Sequence, residues 1–304
     1  MTLPKYVLIT PARNEAEFIE LTIKSMVAQT ARPEKWVIVS DGSTDGTDEI
    51  VLKYVDDNPW IELVRMPERQ ERHFAGKVHA FNAGRERLKH VEYAVIGNLD
   101  GDLSFDEEHF AFLLQKLVEE PRLGLAGTPF RSETGIAYDY RYVSIEHVSG
   151  ACQLFRRECF EEIGGYKPVK GGGIDHIAVI TARMKGWKTR TFTEKAMLHH
   201  REMGTAQDST LMAKFKLGAK DYALGSHWIW EISRTIYQSG KKPYLLGGIA
   251  LLSGYMWSMV RRVERPVSTE LIKFRHREQM QRLKDFVGRK RDSPQSHLEA
   301  NSSR

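Results

Sequence analysis

The 304-residue chain has only two cysteines, Cys152 and Cys159. Their spacing fits no zinc-ligand pattern, and one pair is too few for a disulfide framework. A reducing compartment is therefore expected. The opening residues, MTLPKYVLIT, lack the apolar h-region and small-residue cleavage site of a secretory signal, so work on the cytosolic side is expected. No internal repeat occurs, which excludes solenoid and propeller architectures. Disorder is excluded too, because 41% of residues are hydrophobic and 28% charged. Net charge is +5, yet residues Arg261 to Arg291 alone hold 11 Lys/Arg against 4 Asp/Glu, a local +7 that leaves −2 elsewhere. A basic segment of this kind can meet anionic lipid headgroups or form a solvated helical face. It matches no nucleic-acid-binding motif, so no nucleic-acid partner is expected.

The first hundred residues alternate short apolar runs with helical periodicity. Strands are expected at Tyr6–Thr10, Trp36–Ser40, Ile61–Arg65 and Tyr93–Asp100, and helices at Glu15–Gln29, Thr47–Val55 and Val78–Leu88. This order implies βαβ units and an α/β fold with a mostly parallel central sheet. Beyond Asp102 a helix is expected at Phe105–Glu119 and another at Asp175–Lys185, with β-rich pieces at Leu123–Phe130 and Tyr142–Val148 between them.

From about Ser209 onward the pattern is helical. Pro243–Val260 offers 18 consecutive uncharged, mostly apolar residues between Lys241–Lys242 and Arg261–Arg262. Such basic flanks, with Tyr244, Tyr255 and Trp257, suit contact with an inner membrane surface, peripheral or monotopic. The length sits at the lower limit for a spanning helix, so a span over 243–260 stays open beside a buried core helix. The expected organisation is a catalytic domain over 1–205, a membrane-associating helical region over 206–287, and a disordered tail over 288–304.

Ligands of open α/β sheets bind beyond the carboxyl ends of the strands. Three polar loops follow strand ends here: TPARNE after the first, DGSTD after the second and DGD after the fourth. Asp100 and Asp102 are two residues apart, so in extended chain both carboxylates face one way. A pair of hard oxygen donors suits Mg²⁺ or Mn²⁺ completed by substrate phosphates, although Asp-Gly-Asp also makes ordinary turns. Asp41 ends a buried strand and can accept a hydrogen bond from a base or a ribose hydroxyl. Capping the next helix is the other reading, unless Asp45 or Thr47 does so.

Seven segments then occur in an order that resembles glycosyltransferase family 2. They are TPARNEAEFIELTIKSMVAQT, VIVSDGSTDGT, GKVHAFNAG, DGD, SGACQLFRRECFEEIGGY, GGIDHIAVITARMKGW and LHHREMGT, together covering roughly residues 4 to 205. The resemblance implies a GT-A fold and an inverting, metal-dependent transfer of a sugar from a nucleoside-diphosphate sugar, with UDP as the default nucleotide. It implies that Pro11, Ala12, Arg13 and Glu15 hold the nucleotide, that Asp41 contacts the base, and that Lys77 and Asn82 line the nucleotide pocket. It further implies that Asp100 and Asp102 hold a divalent Mn²⁺ or Mg²⁺ on the diphosphate, and that Asp175 is the catalytic base. His199 or His200 would stand near the metal, His200 being taken as the ligand. A strand-end histidine packed in the core is the alternative for this pair.

The pattern has departures. The family's Glu-Asp pair reads Ile174-Asp175 here, and Thr181 stands at the family's arginine, with Arg183 two residues on. The acceptor implied is a hydroxyl on a glycan or a lipid-linked sugar in cell-envelope or exopolysaccharide assembly. A polyprenyl-phosphate glycosyltransferase and a non-catalytic nucleotide-sugar-binding scaffold are the alternatives.

Overall fold

The structure, a computed structural model, describes residues 2–68, 75–132, 135–136, 144–169, 171–201 and 210–291. It divides into two compact units, Met1–Ala206 and Gln207–Arg304.

The first unit is built on a seven-stranded sheet. Its strands are β1 (Tyr6–Ala12), β2 (Lys35–Asp41), β3 (Ile61–Met66), β4 (Val95–Leu99), β6 (Leu123–Gly127), β9 (Cys152–Arg156) and β10 (Lys188–Thr191). They run in the order β10-β6-β9-β4-β1-β2-β3. Every neighbouring pair is parallel except those made by β9, which runs against both β4 and β6. Val7, Leu8, Ile9, Trp36, Val37, Ile38 and Val39 are all fully buried. Continuous apolar runs, not alternation, mark strands covered on both faces. The cover is α1 (Ile19–Val27), α2 (Thr47–Val55), α3 (Ala75–Glu86), α4 (His109–Glu119), α5 (Arg157–Glu162) and α6 (Ile174–Met184). A second sheet, ordered β5-β11-β7-β8, joins β5 (Leu103–Ser104), β11 (Met197–His199), β7 (Phe130–Ser132) and β8 (Gly135–Ile136).

Several expected boundaries shift. The strand expected to end at Thr10 continues through Pro11 and Ala12, paired with Val39 and Ser40 of β2. Proline is tolerated there because β1 pairs with β4 only as far as Ile9. The first helix starts at Ile19, not Glu15, because the backbone of residues 14–16 is bonded to the neighbouring loop. The expected piece Leu123–Phe130 divides between β6 and β7. Of Tyr142–Val148, residues 144–148 form a turn and no strand, and 142–143 lie outside the described residues. Both cysteines are buried free thiols, Cys152 on β9 and Cys159 on α5.

The second unit comprises α7 (Thr210–Ala223), α8 (Trp228–Ser239), α9 (Leu246–Val260) and α10 (Thr269–Arg291). Helices α7 and α9 meet backbone to backbone. A Cβ on Gly218 would fall 1.8 Å from the Leu251 carbonyl oxygen, and one on Gly254 1.9 Å from that of Phe215. Any larger residue at either position would force the helices apart. The interior of this unit carries a charged cluster beside buried Leu251 and Tyr255. Arg234 on α8 pairs with Asp221 on α7, and Arg275 on α10 lies 3.8 Å from the same carboxylate. Beside them Glu231 is fully buried, with neither carboxylate oxygen hydrogen-bonded among the described residues.

Over 243–260, where the sequence leaves a span open, the helix is shorter than the apolar run. The helix begins only at Leu246, and its 15 residues measure about 22 Å against a hydrocarbon core of about 30 Å. No described helix is long and apolar enough to cross a membrane. The expected break near Val287 is also displaced, since α10 continues to Arg291. The rest of the expected tail, 292–304, lies outside the described residues.

Glu231 gives a pH prediction. Burial, with Asp221 adding, pushes its pKa up to about 8 against the opposing pull of Arg234 and Arg275. The folded chain then holds a proton that the unfolded chain releases. Stability is therefore full below the ordinary carboxyl range and falls as pH climbs through about 8. Thermal melts across this range should show the loss, at roughly 4–8 °C for each kcal/mol in a unit of this size. Glu231→Gln should flatten the profile, and an unchanged pH dependence in that variant would remove Glu231 as its source.

Candidate active site

Strand β1 runs parallel between β4 and β2, so Ala12, Asp41 and Leu99 end at one sheet edge. Asp41 is buried at the end of β2 opposite Met66. The loops after β1 and β2 are tied together. Asn14, at φ 55°, donates its backbone N–H to Ser43 Oγ at 3.1 Å and accepts the Thr44 N–H at 2.9 Å. Glu15 N–H reaches Thr47 Oγ1, and Ala16 N–H reaches Asp45 Oδ2, each at 2.9 Å. Asp45 also accepts the Thr47 N–H. Burial works against its charge, but these donors hold its carboxyl below the usual range. Gly46 is the N-cap of α2, and Asp45 anchors the loops, so neither task falls to Asp41. Arg13 is half-buried at the start of the first loop.

The Asp-Gly-Asp turn after β4 engages two different sets of partners. Asp100 is held by its backbone N–H on the Ala151 carbonyl at 2.8 Å. Its Oδ1 takes the Lys77 ammonium at 2.5 Å and the Asn98 amide at 3.3 Å. Burial opposes the charge on Lys77, yet Asp100, with Asp175 and Asp102 behind it, carries its pKa above the lysine norm. Burial, with Asp102 nearby, raises that of Asp100 despite the lysine.

Asp102 is buried on the other side of the turn. Its Oδ2 lies 3.6 Å from His199 Nε2 and 3.4 Å from Arg201 Nε, while Oδ1 has no hydrogen-bond partner among the described residues. Arg201 also pairs with the Glu15 carboxylate and rests over the Phe18 ring. A Cβ on Gly101 would stand 3.5 Å from Glu15 Cγ, so this side chain leans directly on the turn. Burial pushes the Glu15 carboxyl up to about 7, with Arg201 pulling down and Asp102 and Asp100 adding to the rise. Three carboxylates therefore share this corner, and one guanidinium bridges two of them.

His199, not His200, faces Asp102. His200 Nε2 lies 2.9 Å from Ser104 Oγ, and its ring stacks on Phe18. Neighbouring residues on an extended chain point opposite ways, and pairing of His199 with Leu103 on β5 decides which one turns to the site. Asn82 is also placed apart from Lys77. It is exposed five residues along α3, about 1.4 turns away.

Asp175 lies in the first turn of α6, half-buried. It packs over Gly150 so closely that a Cβ there would meet Asp175 Cβ at 2.7 Å and Oδ2 at 2.9 Å. The Gly150 carbonyl accepts the Asn98 amide at 2.8 Å and the Lys77 ammonium at 3.4 Å. One backbone carbonyl thus joins the surroundings of Asp100 to those of Asp175. Lys77, Asn98, Gly150 and Asp175 line one small cleft with the buried pair Gln153–Tyr166, whose hydroxyl–amide bond is 2.6 Å. Ile174 lines it too, so no acid stands beside Asp175. Thr181 is buried on its own helix, and Arg183 donates to Glu146 O and Thr189 Oγ1.

Among the described residues, no three His, Cys, Asp or Glu side chains converge on a metal position. Mg²⁺ and Mn²⁺ sites commonly use only one or two carboxylates and take the remaining oxygens from phosphates and water. The buried, unpartnered Asp102 Oδ1 beside Asp100 fits that arrangement.

Residues 7–144 match the model of the family described as "Glycosyl transferase family 2". Poly-beta-1,6-N-acetyl-D-glucosamine synthase of Staphylococcus aureus (strain COL) is 25% identical over 170 residues, 50% of this chain and 39% of that protein. The Staphylococcus epidermidis protein of the same name is 23% identical over the same share. The chain thus spans well under half the length of these curated relatives. Among solved structures, the mannosyltransferase PcManGT of Pyrobaculum calidifontis, in complex with GDP-Man and Mn²⁺, shares the fold. Its TM-score is 0.58 at 19% identity, covering 97% of this chain and 82% of that one. S. aureus TarS 1–349 in complex with UDP-GlcNAc aligns with a TM-score of 0.53 at 15% identity, covering 93% and 80%. With the parallel sheet, the Asp-Gly-Asp turn after β4 and the family match in agreement, residues 7–144 are similar to glycosyltransferase family 2, and the chain has the GT-A glycosyltransferase fold.

Proposed function

We propose that this protein transfers a sugar from a nucleoside-diphosphate sugar, a UDP-sugar by default, to a hydroxyl acceptor with inversion at the anomeric carbon. The observation that carries the proposal is the convergence at Gly150, where a carboxylate (Asp175) and an ammonium (Lys77) line one cleft beside the Asp-Gly-Asp turn. Asp175 removes the acceptor proton, the acceptor oxygen bonds to the anomeric carbon, and the bond to the diphosphate breaks on the opposite face. The leaving group departs with the electron pair. Lys77 is placed to offset its charge. Asp100 and Asp102 would hold Mn²⁺ or Mg²⁺, which as a Lewis acid neutralises developing phosphate charge. Arg13, Glu15 and Asp41 stand at the strand-end edge where the nucleotide is proposed to sit, together with Pro11 and Ala12.

The acceptor is proposed to be a growing glycan or a lipid-linked sugar, met at the cytoplasmic face of a membrane. The named relatives include a poly-N-acetylglucosamine synthase, which supports a polysaccharide or cell-envelope acceptor.

The deciding experiment incubates purified protein with a panel of nucleotide sugars and Mn²⁺ or Mg²⁺, with and without membrane lipid extract. Release of the nucleoside diphosphate is the readout. Metal-dependent release from one donor, raised by the extract, is expected. Transfer onto polyprenyl phosphate in place of a hydroxyl would shift the reading to the polyprenyl-phosphate class. No release and no nucleotide binding by calorimetry would leave a scaffold with the fold alone.

A further inference from the structure

The second unit is built inside out. Among the described residues, every exposed large apolar side chain other than Leu3, Leu21, Leu52, Ile145 and Leu198 belongs to it. Its interior holds the Asp221–Arg234–Arg275 ion pairs and Glu231 beside a few buried apolar side chains, Tyr222, Leu224, Leu251, Tyr255 and Leu271. Helix α9 shows the inversion within one element. It turns Gly247, Gly248, Gly254 and Ser258 inward together with Leu251 and Tyr255, and Leu246, Ile249, Met256, Trp257, Met259 and Val260 outward. Helix α8 repeats it. Glu231 is buried, whereas Trp228, Ile229, Ile232 and Ile236 are exposed, the last at 70%. The isoleucines stand at i, i+3 and i+7, one stripe along the helix.

A water-soluble helical unit places these groups the other way round. Small residues at helix contacts with large apolar residues outside is the arrangement of helices that face hydrocarbon. The rims carry the matching charge. Lys241 and Lys242 precede α9, and Arg261 and Arg262 follow it, all exposed. Lys241 covers the Tyr237 ring at 4.3 Å and Arg261 the Trp257 ring at 4.6 Å. Aromatic rings under cations at the edge of an apolar face suit the headgroup level of an anionic leaflet.

We infer that the outer faces of α8 and α9 together form a monotopic docking surface that enters one leaflet of an anionic bilayer. Fifteen residues are too short to span, and the exposed stripe on α8 adds a second inserting helix beside α9. Apolar insertion supplies the affinity, and the four flanking cations select anionic headgroups. This deepens the membrane placement proposed above by naming the face, the depth and the lipid charge.

The test is co-flotation of the full chain with vesicles of phosphatidylcholine alone, or of phosphatidylcholine mixed with phosphatidylglycerol. Wild type is expected to float with the mixed vesicles and weakly with the zwitterionic ones. The double variant Ile236→Glu/Trp257→Glu should lose binding by on the order of 100-fold, with an unchanged melting temperature and unchanged metal-dependent nucleoside diphosphate release into water. Lys241→Gln/Lys242→Gln/Arg261→Gln should lower only the preference for anionic vesicles. Flotation of the Glu variant equal to wild type would overturn the inference. So would absence of vesicle binding in a wild type whose sedimentation shows a dimer that the Glu variant dissociates, because the face would then belong to a second copy. A protein that floats but releases no nucleoside diphosphate would keep the docking surface and sink the transferase reading.

Discussion

Asp175→Asn is expected to lower the rate of sugar transfer by about 10²–10⁴-fold while nucleotide-sugar affinity stays within a few-fold of wild type. The substitution keeps the shape of the side chain, so its contact with Gly150 and its place in the first turn of α6 survive. It removes the one carboxylate that lines the cleft from α6. Ile174 beside it is buried and apolar, so no neighbouring acid can take over the proton. The measurement pairs steady-state kinetics on a hydroxyl acceptor with calorimetry of the donor. Near-wild-type turnover would remove Asp175 as the base. The same variant also separates acceptor classes. A phosphate acceptor is already ionised and needs no base, so a small effect with polyprenyl phosphate beside a large one with a hydroxyl would locate the role of Asp175 in deprotonation.

The sheet was legible in the sequence because its strands are buried on both faces and therefore read as unbroken apolar runs. WVIVS in β2 is the clearest, with Trp36, Val37, Ile38 and Val39 all fully buried. The polar loops were legible as well, since each follows such a run. What single positions could not report was direction. His199 and His200 are chemically identical neighbours, and only the pairing of β11 with β5 determines which one faces Asp102. Asn82 shares a segment with Lys77 but not its helical phase. Arg201 sits inside the LHHREMGT segment, yet nothing in its spacing tells that it reaches Glu15, 186 residues away in the chain. The C-terminal apolar run was legible as apolar. Its glycine-packed contacts are made with α7 at Gly254 and with α8 at Gly248, partners that the run itself does not encode.

Asp102→Ala is expected to cut metal-stimulated nucleoside diphosphate release by about 10²–10³-fold, because a cation on a diphosphate supplies several kcal/mol of charge stabilisation. Asp102 is the buried member of the Asp-Gly-Asp turn, and its Oδ1 has no hydrogen-bond partner among the described residues. A buried carboxylate oxygen in that condition is costly unless a cation reaches it. Arg201 already meets part of that need by bridging Glu15 and the other oxygen of Asp102. Arg201→Ala should therefore act in the opposite sense on the ion. With the guanidinium gone, three carboxylates repel one another, so the metal-free protein should melt earlier and bind Mn²⁺ more tightly. Spin-resonance titration of Mn²⁺ reads that affinity without requiring turnover, and release assays across Mn²⁺ concentration read the consequence. Asp102→Ala should lose both binding and release, whereas Arg201→Ala should gain binding whatever happens to release. Full release by Asp102→Ala in the presence of a chelator would mean that charge on the diphosphate is met by Lys77 and Arg201 instead of a metal. The Asp-Gly-Asp turn would then serve to hold those two cations in place.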